Sequence, residues 1–259
     1  MVADFVSADY GWLKGGNHVA RVLLRPGSNC DGYFTNDDVI GQVSNVMRIL
    51  TENYPDDDHV LVFDNACTHS KRADNALSAL KMPKGSKQWG VTVNAHDESG
   101  AIIFKSNGKP QTTTKRMADT TWNGQVQHLY YSDDHPQYPR YFKGMARILE
   151  ERGHNVTGLH AQCEKFKCHG MAVQCCCQNI LFHSHDFINV KSLLETHCEA
   201  AKFGVLFLPK FHCELNFIEQ VWGYAKHVYC EFPPSSRVED VETNLQKALE
   251  SVSITSMCK

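Results

Sequence analysis

The sequence predicts a mixed α/β fold, with helices layered on both faces of a sheet, on three observations. Short apolar runs bounded by turn residues alternate with segments of helical apolar spacing. Four consecutive apolar residues, 60–63, run straight into an acid, Asp64, as in a strand buried on both faces. Apolar residues make up 42% of the 259 and charged residues 21%, which supports a packed core and excludes general disorder. The formal charge of −3 excludes a surface that is basic throughout, so any nucleic-acid contact needs a local patch. No apolar run approaches the roughly eighteen residues of a membrane span, and 1–11 lacks a basic-plus-apolar leader pattern. The expectation is a soluble, intracellular chain with no membrane partner.

The elements follow in order. Val2, Phe5 and Val6 suit a strand within 1–10, and 18–24 reads as a second, with Gly15, Gly16 and Asn17 turning between them. Thr35 and Asp38 form a capping pair ahead of Val39, Ile40, Val43, Val46, Met47 and Leu50, a helix ending near Pro55. From 83 to 139 Gly, Thr, Asn, Lys and Asp dominate, which reads as an insertion. Its one hairpin candidate pairs 91–93 with 102–104. A short helix over 142–152 turns Met145, Ala146 and Leu149 inward and stops at Gly153. Another over 190–203 buries Val190, Leu193, Leu194, His197 and Ala201 and stops at Gly204. Val205 to Leu208 is a short strand closed by Pro209; Asn216 caps a helix to about Tyr229, and 238–249 is the last helix. The domain reading is 1–82 as the first part of a core, 83–140 as a polar insertion, 141–189 as a helix with a cysteine-rich module, and 190–259 as the second part of the core.

Eleven cysteines are an odd count, and five fall at Cys163, Cys168, Cys175, Cys176 and Cys177. A disulfide framework belongs to short secreted chains, so reduced thiols are expected here. Structural zinc takes four Cys or His ligands at short spacing, and so polar an insertion has little apolar core of its own and needs a staple. Three adjacent cysteines do not readily share one ion. Cys163, Cys168, Cys175 and Cys177 are the expected Zn²⁺ ligands, with Cys176 as substitute and His169, His183 and His185 nearby; the other reading is a set of packed apolar thiols.

Two segments carry further chemistry: Leu61-Val-Phe-Asp64-Asn65-Ala66 with His69, and Leu208-Pro209 followed by Leu215-Asn216-Phe217-Ile218-Glu219-Gln220-Val221-Trp222. Singly, Asp64 reads as a turn former and Glu219 as a carboxylate favouring a helix N-terminus. Together the segments resemble the catalytic domain of mariner-like DDE transposases in the RNase H-like integrase superfamily, closest to the DDE superfamily endonucleases of basidiomycete fungi. The resemblance implies an RNase H-like mixed sheet flanked by helices, with a large insertion carrying the cysteine-rich module. Asp64 corresponds to the family's second acid and Glu219 to its third, 219 − 64 = 155 residues later. The first acid is Asp4, where apolar residues run into a carboxylate as they do before Asp64, with Asp9 in reserve.

That resemblance implies DNA cleavage and strand transfer, with Asp4 (or Asp9), Asp64 and Glu219 holding two Mg²⁺ or Mn²⁺ ions. It also implies DNA as partner, a homodimer and a nuclear location. Lys71, Arg72, Lys81, Lys84, Lys87, Lys105, Lys109, Lys115 and Arg116 could track phosphates, or form a solvated face. No helix-turn-helix or basic arm precedes Asp4, and no basic tail follows Ser256, so a truncated or host-retained fragment acting by binding alone is the rival expectation. An RNase H-fold nuclease without transposition is the third.

Overall fold

The computed structural model describes residues 1–27, 29–98, 100, 102–168 and 174–257. The chain divides into two compact units, Met1–Lys71 with Lys191–Lys259, and Arg72–Val190.

The first unit begins with six two-residue strands: β1 (Val2–Ala3), β2 (Val6–Ser7), β3 (Gly11–Trp12), β4 (Lys14–Gly15), β5 (His18–Val19) and β6 (Val22–Leu23). They pair antiparallel as β1–β6, β2–β3 and β4–β5, so the two expected strands form as an interrupted meander. Helix α1 (Asn36–Asn53) starts at the predicted capping box: Thr35 accepts from the Asp38 N–H, and Asp38 reaches back to the Thr35 N–H at 2.8 Å. Such a cap contributes about 1 kcal/mol. Val39, Val43, Val46, Met47 and Leu50 are buried, as their spacing requires, and the helix ends before Pro55.

β7 (Val60–Phe63) corrects one expectation. Leu61 and Phe63 are buried, but Val60 is 62% and Val62 44% exposed, so the strand is covered on one face only. Periodicity within a continuous apolar run cannot say how many faces have a neighbour.

In the second unit, β8 (Val91–Asn94) pairs with β9 (Thr112–Lys115), not with 102–104. The 102–104 stretch forms only isolated bridges, His96 with Ile102 and Phe104 with Pro110. β10 (Thr120–Trp122) and β11 (Gln125–Gln127) make a hairpin about the Asn123-Gly124 turn. Then come α2 (Met145–Glu151), α3 (Cys177–Phe182) and α4 (His185–Ile188). Gly144 at the start of α2 has φ +86°, and a Cβ there would meet the Lys84–Gly85 backbone at 2.5 Å. Only glycine satisfies both demands.

The expectation that the polar insertion has little core of its own is also corrected. Met82, Met117, Leu129, Tyr130, Phe142, Met145, Ile148, Leu149, Cys177, Ile180 and Leu181 form one buried cluster. Beside it, Arg152 and Asp186 make a buried two-bond ion pair at 3.0 and 2.6 Å, and Thr120 adds a third bond to Asp186 at 2.7 Å. Tertiary folding gathers sparse apolar residues spread over 79–187, which composition does not register.

The first unit resumes with α5 (Leu193–Ala200), capped by Ser192 and Glu195. Leu194 and Cys198 are its buried residues; Ala201 is exposed, and the stop is made by Lys202 at φ +64°, ahead of Gly204. β12 (Gly204–Phe207) lies parallel to β7, with Val205 opposite Leu61 and Phe207 opposite Phe63. α6 (Ile218–Cys230), α7 (Val238–Glu250) and α8 (Ile254–Met257) complete the chain. α6 buries Ile218, Val221 and Ala225 as predicted, but its cap is Phe217, and Asn216 contributes only a backbone carbonyl to the Glu219 N–H. One core joins α1, β7 and α5; a second joins α6 and α7 to Val2, Val6 and Trp12.

The architecture is therefore mixed α/β. Among the described residues every ladder is two-stranded, so the expected continuous sheet flanked on both faces is not formed as one ladder. No helix among them is long and apolar enough to cross a membrane.

Candidate functional site

Asp4, Asp9, Asp64 and Glu219 all line one cavity of the first unit, of about 730 Å³. They arrive from separate elements: Asp4 follows β1, Asp9 sits in the turn between β2 and β3, Asp64 follows β7, and Glu219 occupies the first turn of α6. Asp58 joins them, so five carboxylates line the cavity and no lysine or arginine does. The potential inside favours cations.

Their individual settings differ. Asp64 is half exposed; it accepts from the Ala66 N–H at 3.1 Å and from His69 Nδ1 at 2.6 Å, and the His69 ring lies 5.2 Å from that of Phe63. Asp9 and Glu219 are exposed. Asp4 is buried, accepting from the Phe5 N–H at 2.8 Å and from Arg21 Nε at 2.6 Å. Burial pushes its carboxyl up, against the opposing charge and hydrogen bond of Arg21.

Sequence reasoning missed Arg21. The β1–β6 register pairs Ala3 with Val22, so the next position sets Asp4 opposite Arg21. Each strand is legible in the sequence, but the register between them is not. Trp222 also lines the cavity, and its buried indole N–H has no hydrogen-bond partner among the described residues.

The second candidate site lies in the other unit. The sulfurs of Cys163, Cys168, Cys175 and Cys176 lie within 4.8 Å of one another and could hold a metal such as zinc. Among the described residues this is the one group of three or more metal-type ligands so gathered; the cavity carboxylates are not. Cys177 is corrected: it is not in the cluster. Cys176 is the N-cap of α3, bridged to His160 before the helix begins, while Cys177 is the first helical residue and packs in the apolar core. Adjacent residues on either side of a helix start point in different directions. Asn179, one turn along α3, donates to Cys175 Sγ at 3.5 Å. His183 bonds to the Asn179 carbonyl, and His169 lies outside the described residues.

Four sulfurs this close resist full ionisation unless a cation sits among them. Burial, then hydrogen bonds with Cys175 and Cys163, push the Cys168 thiol up to about 12. Burial raises the Cys175 thiol, but hydrogen bonds from Cys168, Cys163 and Cys176 outweigh it and hold it below the ordinary thiol range.

No family model, curated protein or solved structure matches the chain.

Proposed function

We propose that the first unit is a DDE-type catalytic core that cleaves DNA with divalent cations, and that the second carries a structural zinc site. The observation that carries the first part is the convergence of Asp4, Asp9, Asp64 and Glu219 on one cavity despite their spread along the chain. DNA is a polyanion, and a cavity lined by five carboxylates, one of them paired with Arg21, repels it unless cations intervene. Carboxylate oxygens are the hard donors that Mg²⁺ and Mn²⁺ take, so the donor type fits such ions, which would have to draw the separate carboxylates together. Two bound ions would activate the attacking oxygen and stabilise the leaving one in an in-line displacement.

The chain's own residues then have distinct tasks. Asp64 and Glu219, both open to solvent, hold the cations; His69 fixes the orientation of the Asp64 carboxylate through its 2.6 Å bond. Asp9 is free to contribute, whereas Asp4 contributes only by exchanging Arg21 for a cation. Strand transfer, nuclear location and a homodimer accompany this reading. For the second unit, Cys163, Cys168, Cys175 and Cys176 supply four thiolates, the donor set of a closed structural Zn²⁺ site.

A second reading is favoured by the Asp4–Arg21 pair: a first acid committed to a buried arginine suits a fold retained for binding, without catalysis. Nicking of supercoiled DNA separates the two. With Mg²⁺ or Mn²⁺ the chain is expected to nick slowly and without sequence preference, and Asp64→Asn to abolish nicking while the protein stays folded. Nicking that Asp64→Asn leaves unchanged, or none in either metal, removes the catalytic reading.

A further inference from the structure

Every described residue from Ile102 to Arg116 is exposed. This stretch carries Lys105, Lys109, Lys115 and Arg116 and no acid, in a chain whose net charge is −3. It comprises β9 and most of the 95–111 connection from β8, whose first part also carries Asp97 and Glu98. A root holds it in place: Gly90 approaches the Lys115 carbonyl so closely that a Cβ would lie 2.5 Å from it. Lys115 pairs with Asp74 at 2.7 Å, and Arg116 stacks over Tyr130 at 4.3 Å.

At the tip, Lys105 and Lys109 face each other across a tight turn, the Lys105 N–H donating to the Lys109 carbonyl at 2.8 Å. The Asn107 side chain accepts from the Lys109 N–H at 3.1 Å, which orders the turn. Like charges directly opposite on a ladder are destabilising. Neither ammonium has an ion-pair partner among the described residues. Folding alone gives no reason to place two lysines so; an anionic partner does.

We infer that this hairpin is a DNA-binding ribbon, with Lys105 and Lys109 on phosphates and the alternate β9 residues Thr112 and Thr114, opposite the exposed Asn94 and Thr92, facing base edges. The inference deepens the proposed function and rests on its identification of DNA as partner. A two-stranded ribbon fits the major groove of duplex DNA, about 12 Å wide. A Thr side chain both donates and accepts, and offers a methyl group to thymine. Thr112 and Thr114 are exposed on the face of β9 opposite to the one that Lys115 commits to Asp74. The exposed Ile102, Ile103 and Phe104 would suit a lipid surface, but the hydroxyl-rich strand beside them would lose its hydrogen bonds in a bilayer core. DNA gives the hydroxyls hydrogen-bond partners and the lysines phosphates.

The test is binding of the full chain to a short labelled duplex, by fluorescence anisotropy, between about 50 and 200 mM salt. Lys105→Gln with Lys109→Gln is expected to weaken binding roughly tenfold or more. The slope of log affinity against log salt should fall by about 1.8, at about 0.9 for each phosphate no longer neutralised. The control, Lys247→Gln on α7, should leave both unchanged. Lys105→Glu adds a check on folding: it converts the like-charged pair to an opposite one, so binding should fall while thermal stability does not. Equal affinity in the double variant and the wild type, an equal weakening in the control, or no DNA binding at all overturns the inference. So does binding to phosphatidylserine vesicles that the double variant loses while its DNA binding persists. Nicking is scored separately. DNA binding abolished in the double variant, with no nicking in any protein, leaves the ribbon and removes the nuclease. Normal nicking and binding in the double variant does the reverse.

Discussion

Replacing Cys176 and Cys177 one at a time by serine should give opposite phenotypes, although the two are neighbours in sequence and both fully buried. Cys176 contributes one of four clustered sulfurs. Structural zinc in small domains supplies about 10–16 kcal/mol at neutral pH, so one ligand of four accounts for roughly 2.5–4 kcal/mol. At about 1.4 kcal/mol per decade, Cys176→Ser should weaken zinc binding by roughly two to three orders of magnitude. Cys177 touches no ion in this arrangement; its sulfur packs among Ile180, Leu181 and their neighbours. A hydroxyl there is a buried polar group without a partner, costing about 1–3 kcal/mol of stability. Competition against a chromophoric chelator reads the first effect, and urea unfolding of the zinc-loaded protein reads the second. Cys177→Ser should retain one zinc per chain at nearly native affinity while unfolding at lower urea. The reasoning is refuted if Cys177→Ser loses the metal and Cys176→Ser keeps it, or if both lose it equally.

The remaining predictions concern the second unit's buried ion pair. Arg152→Met strands the Asp186 carboxylate with only Thr120, and should cost about 3–5 kcal/mol in urea unfolding; the double variant with Asp186→Leu should recover much of that. A loss under about 1 kcal/mol in the single variant would mean that the pair is solvated. Acid should act through the same pair. Burial alone would raise the Asp186 carboxyl, but the hydrogen bonds from Arg152 and Thr120 and the Arg152 charge outweigh it and hold it below the usual carboxylate range. Its contribution is therefore full above the ordinary value of 3.8 and lost as pH falls through the lowered one. Asp4, raised by burial, has the opposite sign: its contribution falls as pH rises from 3.8 through the raised value. Stability measured against pH below about 4 should thus drop more steeply in the wild type than in the Arg152→Met, Asp186→Leu protein.

What could be read from the sequence was local. Thr35, Asp38 and the apolar spacing after them specify α1 within a few residues of chain, and α7 and the inward face of α6 follow from the same periodicity. What could not be read depends on partners distant in sequence. The cover over β7 is one such case, since Val60 and Val62 differ from Leu61 and Phe63 only in what lies against them. The pairing of 91–94 with 112–115 is another: the nearer apolar stretch, 102–104, was the plausible partner, but register is set by the whole hairpin and its anchoring. The candidate site divides in the same way. Asp64 and Glu219 are legible from their motifs, and Asp4 and Asp9 from the strand context, yet the Arg21 that binds Asp4 needs the register. The choice between Cys176 and Cys177 needs the residue at which α3 begins.

The central claim is that carboxylates of the first unit hold two divalent cations, and counting bound Mn²⁺ by electron paramagnetic resonance tests it most directly. Zinc-loaded wild-type protein should bind two Mn²⁺ per chain, and Asp64→Asn should bind none tightly. Asp9→Asn and Asp4→Asn, compared side by side, identify the first acid as the one whose loss reduces the count. The Asp4–Arg21 pair predicts that Arg21→Gln tightens binding if Asp4 is that acid. A wild-type chain that binds no Mn²⁺, or an Asp64→Asn chain that binds as many ions as the wild type, contradicts the account.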